Sequence, residues 1–310
     1  MQAQATSNIL MIRPVNFAFN LQTAESNAFQ DTDTQALDLA LTQENALKEF
    51  DAMVSRLRAI GVNVIVYEDT PQPFTPDSIF PNNWVSFHHS GKVCLYPMQA
   101  ENRRLERRTD IIDDLSAKYH VETIIDLTHF EQEEKFLEGT GSLVLDRMHR
   151  IAYACISPRT NEEVLAAWEK QMNGYKIVKF GAVDANDKEI YHTNVMMCIG
   201  DNFAVICLQA IKDLDERLMV KESLESTGKN VIEITLEQMN AFAGNMLFVL
   251  NQKEHRFLVM STKACESLTQ AQKNQLSEYA DILDFDLNTI ETCGGGSARC
   301  MMAEVHLPER

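Results

Sequence analysis

The sequence predicts an α/β protein made of five repeated ββαβ units that close head to tail into a ring or propeller. Three observations lead there. A strand, a polar loop, a hairpin and a helix recur in one order along most of the 310 residues. The first strands of the hairpins begin near residues 84, 142, 194, 245 and 299, at intervals of 58, 52, 51 and 54 residues. Recurrence at a nearly fixed period is the signature of a repeat architecture. The last unit is short of a strand and a helix, and the N-terminus supplies both, which makes residues 1–310 one domain.

Taken in order, Ile9–Arg13 is a short apolar strand stopped by Pro14. After a polar stretch, Ala36 to Ile60 carries Leu37, Leu41, Leu47, Phe50, Val54 and Leu57 at mostly helical spacing and ends at Gly61. Unit one is then strand Val62–Glu68, a loop holding Asp77 to Asn83, hairpin Trp84–His88 with Lys92–Tyr96 around Ser90-Gly91, and helix Arg103–Tyr119. In unit two, strand Val121–Leu127 leads through Glu138-Gly139-Thr140-Gly141 to hairpin Ser142–Leu145 with Ile151–Ile156 and helix Asn161–Met172. Unit three runs from Tyr175–Phe180 through His192-Thr193-Asn194 to Val195–Ile199, Phe203–Leu208 and helix Leu214–Ser226. Unit four runs from Asn230–Thr235 through Gly244-Asn245 to Met246–Leu250, Phe257–Met260 and helix Lys263–Tyr279. Ile282–Phe285, the loop Gly294-Gly295-Gly296 and strand Arg299–Val305 open the fifth. A doubly wound sheet is the rival, but no Gly-x-Gly-x-x-Gly stands at a strand-to-helix turn.

Composition narrows the function classes. A net charge of -17 argues against nucleic acid or an anionic membrane as partner. No apolar run approaches the roughly 18 residues of a spanning helix, and Met1 to Asn8 has no basic start followed by an apolar stretch, so a cytoplasmic protein is expected. Seven cysteines without Cys-x-x-Cys spacing fit neither a disulfide framework nor a zinc cage, and are expected to be reduced thiols.

The unusual residues fall at one place in each unit, the loop before the first hairpin strand: Asn82-Asn83, Glu138, His192, Asn245 and Cys300. Around a fivefold pseudo-axis these loops converge, so a thiol, an imidazole and a carboxylate share a central pocket. A Cys-His pair with a supporting carboxylate suits attack by a thiolate on an electrophilic carbon. Singly, each residue has a plainer reading. Cys300 is a small buried hydrophobe, His192 a hydrogen-bonded loop histidine and Glu138 a surface charge.

Phe80-Pro81-Asn82-Asn83-Trp84, Glu138-Gly139-Thr140-Gly141-Ser142, His192-Thr193-Asn194 and Gly294-Gly295-Gly296-Ser297-Ala298-Arg299-Cys300 resemble the ordered motifs of the pentein superfamily. Its members include arginine deiminases, dimethylarginine hydrolases and amidinotransferases, and the chain looks most like the deiminase-related citrulline-utilisation hydrolases. The resemblance implies a five-bladed α/β propeller with Cys300 as nucleophile, His192 as general acid and base, Glu138 as partner of the imidazole and of a substrate nitrogen, and Cys293 as a structural thiol. It implies an amino acid substrate whose carboxylate is gripped by Arg159, in Ser157-Pro158-Arg159-Thr160-Asn161, and by Arg104 of the Arg103-Arg104 doublet. No metal or organic cofactor is expected, and a homo-oligomer is compatible with the family.

The motifs depart from the arginine-handling pattern at Asn83 and Asn194, where carboxylates are usual. Amides both donate and accept, which favours citrulline or another neutral amide-like group, although Asp77 and Glu138 keep negative charge near the site. The rival readings are an amidinotransferase and a binding or regulatory protein that has kept the fold and lost the chemistry.

Overall fold

The computed structural model describes residues 2–36, 38–172 and 174–310. Strand β1 (Asn8–Arg13) lies parallel to β2 (Asn63–Glu68), and between them runs helix Leu39–Ala59. Four further sheets repeat one pattern. They are β3 (Val85–Phe87), β4 (Lys92–Leu95) and β5 (Thr123–Asp126); β6 (Leu143–Asp146), β7 (Ile151–Ile156) and β8 (Lys176–Gly181); β9 (Met197–Ile199), β10 (Phe203–Ile206) and β11 (Asn230–Glu233); and β12 (Leu247–Leu250), β13 (Arg256–Ser261) and β14 (Asp281–Phe285). In each, the first strand is antiparallel to the second and the second parallel to the third. The last strand, β15 (Ala303–Glu304), pairs antiparallel with β1 and so joins the two ends of the chain in a fifth sheet, β15-β1-β2. The architecture is thus mixed α/β with five small sheets among the described residues.

A parallel pair needs a crossover, and the helices supply it. Leu39–Ala59 starts where the Asp38 side chain accepts from Leu41 N, and it buries Ala46, Phe50, Met53 and Leu57 against Ile9, Met11 and Val64. Leading hairpin strands adjoin one another, β3 beside β15, β6 beside β9 and β9 beside β12. The loops that precede these strands are therefore neighbours.

Five elements differ from the sequence expectation. The helix expected over Arg103–Tyr119 is broken into Glu101–Arg104 and Thr109–Lys118, because Arg108 takes an extended conformation at the start of the second. The helix expected over Lys263–Tyr279 splits into Thr262–Ser267 and Gln270–Ser277 at Thr269, an extended residue that closes a capping box with Gln272. Unit four gains a short helix, Leu236–Asn240, capped the same way by Thr235. The strand expected over Arg299–Val305 shrinks to Ala303–Glu304, so Cys300 lies in a turn rather than at a strand mouth. The first residue of the expected helix 36–60 belongs instead to a 3₁₀ turn, Thr32–Ala36, and Leu37 lies outside the described residues.

Candidate active site

Two glycines let the second loop slide between its neighbours. Gly139 has φ 48°, and a Cβ there would stand 2.3 Å from Asn82 O. At Gly141 a Cβ would meet Asn83 Nδ2 at 2.5 Å and His192 Nδ1 at 2.8 Å. Any side chain at either position would push the three loops apart.

Cys300 is buried, and its Sγ receives two amide donors: Asn245 Nδ2 at 3.2 Å and Asn194 Nδ2 at 3.5 Å. The orientation of the Asn245 amide is fixed from both ends. Its Oδ1 accepts from Arg299 N at 3.1 Å, and its Nδ2 donates to Asn194 O at 2.9 Å. Turning it over would set Oδ1 against that carbonyl and the sulfur. The glycine loop holds the turn in place. Ile290–Gly294 forms a π-helical turn, Gly295 follows at φ 64°, and Tyr191 Oη donates to Gly295 O at 2.7 Å. Cβ atoms at Gly294 and Gly296 would press on the Phe80 ring. Cys293 lies in the apolar cluster with Leu287 and Ile290.

His192 leads into the turn Thr193–Val195, and its Nε2 lies 2.8 Å from Glu138 Oε2. Burial lowers the imidazole to about 4 against the opposing pull of Glu138, so the ring is neutral at pH 7. With Nε2–H donated to the carboxylate, Nδ1 is left as the bare nitrogen. Burial works against the Glu138 carboxylate, but Arg159, His192 and Arg103 outweigh it and hold the group far below the usual range. Glu138 Oε1 also accepts from Gln99 N at 3.0 Å. Glu138 therefore stands behind the imidazole as a fixed anion.

A cavity is lined by Cys300, His192, Asp77, Asn83, Arg103 and Arg159, together with Tyr191, the three glycines, Phe80, Thr23 and Asn27. Asp77 Oδ2 accepts from Asn20 Nδ2 at 2.7 Å, while Oδ1 has no donor among the described residues. Burial pushes this carboxyl upward and Arg103 pulls it back. Asn83 Oδ1 accepts from Arg103 Nη1 at 2.8 Å, which leaves Asn83 Nδ2 as a donor without an acceptor among the described residues. The Arg159 guanidinium lies 4.9 Å over the Tyr191 ring, donates to Ser26 Oγ at 2.7 Å and reaches Glu138 Oε2 at 3.4 Å.

Three expected residues are off the lining, and of these Glu138, expected to hold a substrate nitrogen, stands behind His192. Arg104 turns away from the cavity, donating to Met98 O and Gln99 O with Glu131 at 3.8 Å. Its neighbour Arg103 points in, because successive residues of a helical turn face about 100° apart. Even so, Arg103 Nε and Nη2 are taken by the two Glu106 oxygens at 2.9 and 3.0 Å. Asn194 does not line the cavity either; it lies against the sulfur. Sequence reasoning placed Asn245 among the converging loop residues but gave it no role at the site. It also left open the role of the polar segment 22–34. That segment covers the cavity, with Thr23 and Asn27 on its lining and Thr23 O accepting from Arg159 Nη2 at 3.2 Å.

No cluster of three or more His, Cys, Asp or Glu fit to hold a metal occurs among the described residues, and no helix among them is long and apolar enough to cross a membrane.

The fold has solved counterparts. ArgZ, an arginine dihydrolase from the ornithine-ammonia cycle in cyanobacteria, superposes with a TM-score of 0.75 at 17% identity over 97% of this chain, which spans only 41% of full-length ArgZ. The N-terminal domain of ArgZ, solved with its product, matches at the same TM-score and identity over 97% of this chain and 98% of that domain. A dimethylarginine dimethylaminohydrolase variant, solved as an adduct with S-methyl-L-thiocitrulline, gives 0.66 at 16% identity over 98% of this chain and 100% of its own. No curated protein matches the chain. The family model for eukaryotic N,N dimethylarginine dimethylhydrolase matches residues 13–307. With nearly its whole length inside that match, the chain belongs to the dimethylarginine dimethylhydrolase family of the pentein superfamily.

Proposed function

We propose that this protein is a cysteine-dependent hydrolase of the guanidino C–N bond of an arginine-like amino acid, built as one five-bladed α/β propeller over residues 1–310 and working in the cytoplasm without a cofactor. The observation that carries the reading is one cavity bordered by the Cys300 thiol, the His192 imidazole backed by Glu138, and the Asp77 carboxylate with an oxygen free to accept. An anion with an open lone pair inside a buried cavity suits a guanidinium.

The His192 Nδ1 takes the thiol proton, and the sulfur attacks the central guanidino carbon. The tetrahedral adduct collapses with loss of one nitrogen, which leaves as ammonia or an amine carrying the proton from His192. Water, deprotonated by the same imidazole, then attacks the S-bound amidino carbon and expels the thiolate. Arginine gives citrulline and ammonia by this route. The Asn245 and Asn194 amides stabilise the sulfur anion at each end of the cycle. Arg159 receives the substrate carboxylate. Arg103, already forked onto Glu106, orients Asn83 and Asp77 instead.

A second reading, hydrolysis of a ureido group to ornithine, ammonia and carbon dioxide, is favoured by the free Asn83 Nδ2, which can donate to a ureido oxygen. Release of ammonia from arginine, agmatine and citrulline, and of methylamine or dimethylamine from dimethylarginine, by wild type and Cys300→Ala tests both. Turnover of arginine or dimethylarginine by wild type alone is expected. Turnover of citrulline alone selects the second reading, and no turnover of any sinks both.

A further inference from the structure

A second enclosed cavity lies along the leading hairpin strands, bounded by residues of β6, β9, β12 and β15 and closed at one side by Gln4. None of the residues lining it lines the candidate active site. Its charged groups are Arg147, Arg299 and Glu304. Arg147 is among the largest fully buried side chains, yet its guanidinium is poorly matched. Its one hydrogen bond is a long one, Nη1 to Phe87 O at 3.4 Å, Nη2 stands 3.5 Å from Glu304 Oε1, and Nε has no acceptor among the described residues. The Glu304 carboxylate is already committed to Arg299, whose Nη2 is 2.6 Å from Oε2.

Neutral groups do not redress the balance. His306, beside Glu304 at 3.7 Å, has neither ring nitrogen hydrogen-bonded among the described residues, and burial lowers it to about 3 with Arg147 adding to the effect. His88 is likewise buried and held well below its ordinary range. Two guanidinium ions face one carboxylate, an excess of one positive charge in a buried space where an unmatched charge is costly. In a chain of net charge -17 this is a local reversal of sign. Arg147 also borders an open groove carrying Lys92 and Arg150 against the single carboxylate of Glu122, which gives anions a basic approach.

We infer that the Arg147–Arg299 cavity binds a small monovalent anion, a planar oxyanion or a halide, by the free Nε edge of Arg147. Occupancy is felt at the nucleophile. Arg299 adjoins Cys300, and its N–H holds the Asn245 amide that reaches Sγ.

The test uses the whole chain at constant ionic strength, with formate, nitrate, bromide and phosphate as separate probes. Formate, nitrate or bromide is expected to raise Tm saturably by about 2–4 °C, with phosphate, larger, tetrahedral and in large part divalent near pH 7, much weaker. The rise is expected to survive Arg159→Ala, which removes one of the two active-site guanidinium groups, and to vanish in Arg147→Lys, which keeps the charge and loses the fork. The Cys300 alkylation rate is expected to change with the same half-saturation. Should Arg147→Lys fail to fold, the anomalous signal of bromide in wild-type crystals decides, with a peak between Arg147 and Arg299 expected. No saturable effect, loss of the effect in Arg159→Ala, or bromide only at the surface overturns the site. Alkylation indifferent to the anion overturns its link to the thiol.

Discussion

Asn245→Ala tests the support of the sulfur directly. The substitution removes the donor 3.2 Å from Cys300 Sγ and the acceptor of Arg299 N, and leaves Asn194 Nδ2 at 3.5 Å as the remaining side-chain donor. A hydrogen bond to a charged group contributes about 1.5–3 kcal/mol. At about 1.4 kcal/mol per factor of ten, its loss weakens the support of the sulfur anion by about 10-fold to 100-fold. Alkylation by iodoacetamide reads this support, with mass spectrometry assigning the label to Cys300. Cys265, which alone of the seven cysteines is not fully buried, serves as internal control. The rate at Cys300 is expected to fall by that factor, while Cys265 stays constant. Leaving Arg299 N without its acceptor costs a further ~1–3 kcal/mol of stability, so the measurement belongs well below the lowered Tm. A folded Asn245→Ala protein that alkylates at the wild-type rate refutes the amide's role.

Asp77→Asn keeps shape and removes charge, and is expected to lower kcat/KM for a guanidinium substrate by about 10-fold to 100-fold, the equivalent of a charged hydrogen bond, with little change for a ureido substrate; equal losses on both would contradict the pairing. Arg103→Ala strands the buried carboxylate of Glu106 and is expected to destabilise by about 3–5 kcal/mol, whereas Arg104→Ala, at the cavity's outside, costs about 1 kcal/mol or less; chemical denaturation distinguishes them. His192 titrates near 4 in the folded chain against an ordinary 6.5. Its unfolded form therefore takes up a proton first on acidification. Stability from this group is present above about pH 6.5 and is lost as pH falls toward about 4. His192→Gln is expected to flatten the stability profile in that window, and a profile as steep as wild type would count against the buried neutral imidazole.

The candidate site was legible in part. Cys300, His192 and Glu138 each fall in the loop before a hairpin, and a repeat with a period near 50 residues brings such loops together whatever the details of each helix. The 2.8 Å His192–Glu138 contact and the cavity shared by Cys300 and His192 agree with that placement. The Arg103-Arg104 doublet was not resolvable. Adjacent residues differ by a rotation that depends on where a four-residue helix starts, and the break at Arg108 carries no proline or glycine to announce it. Asn194 was misplaced for a related reason: two residues after His192, it sits inside a 3₁₀ turn that aims its amide at the sulfur instead of the cavity.

By itself, then, the sequence determined the repeat, the strand pairing it demands and the residue types before each hairpin, because periodicity and glycine placement are local properties of the chain. Only the tertiary structure decided which arginine enters, which amides hold the thiol and where Arg147 is left short of partners. Those outcomes depend on side-chain direction and on neighbours from about twenty to more than a hundred residues apart, and no local pattern records them.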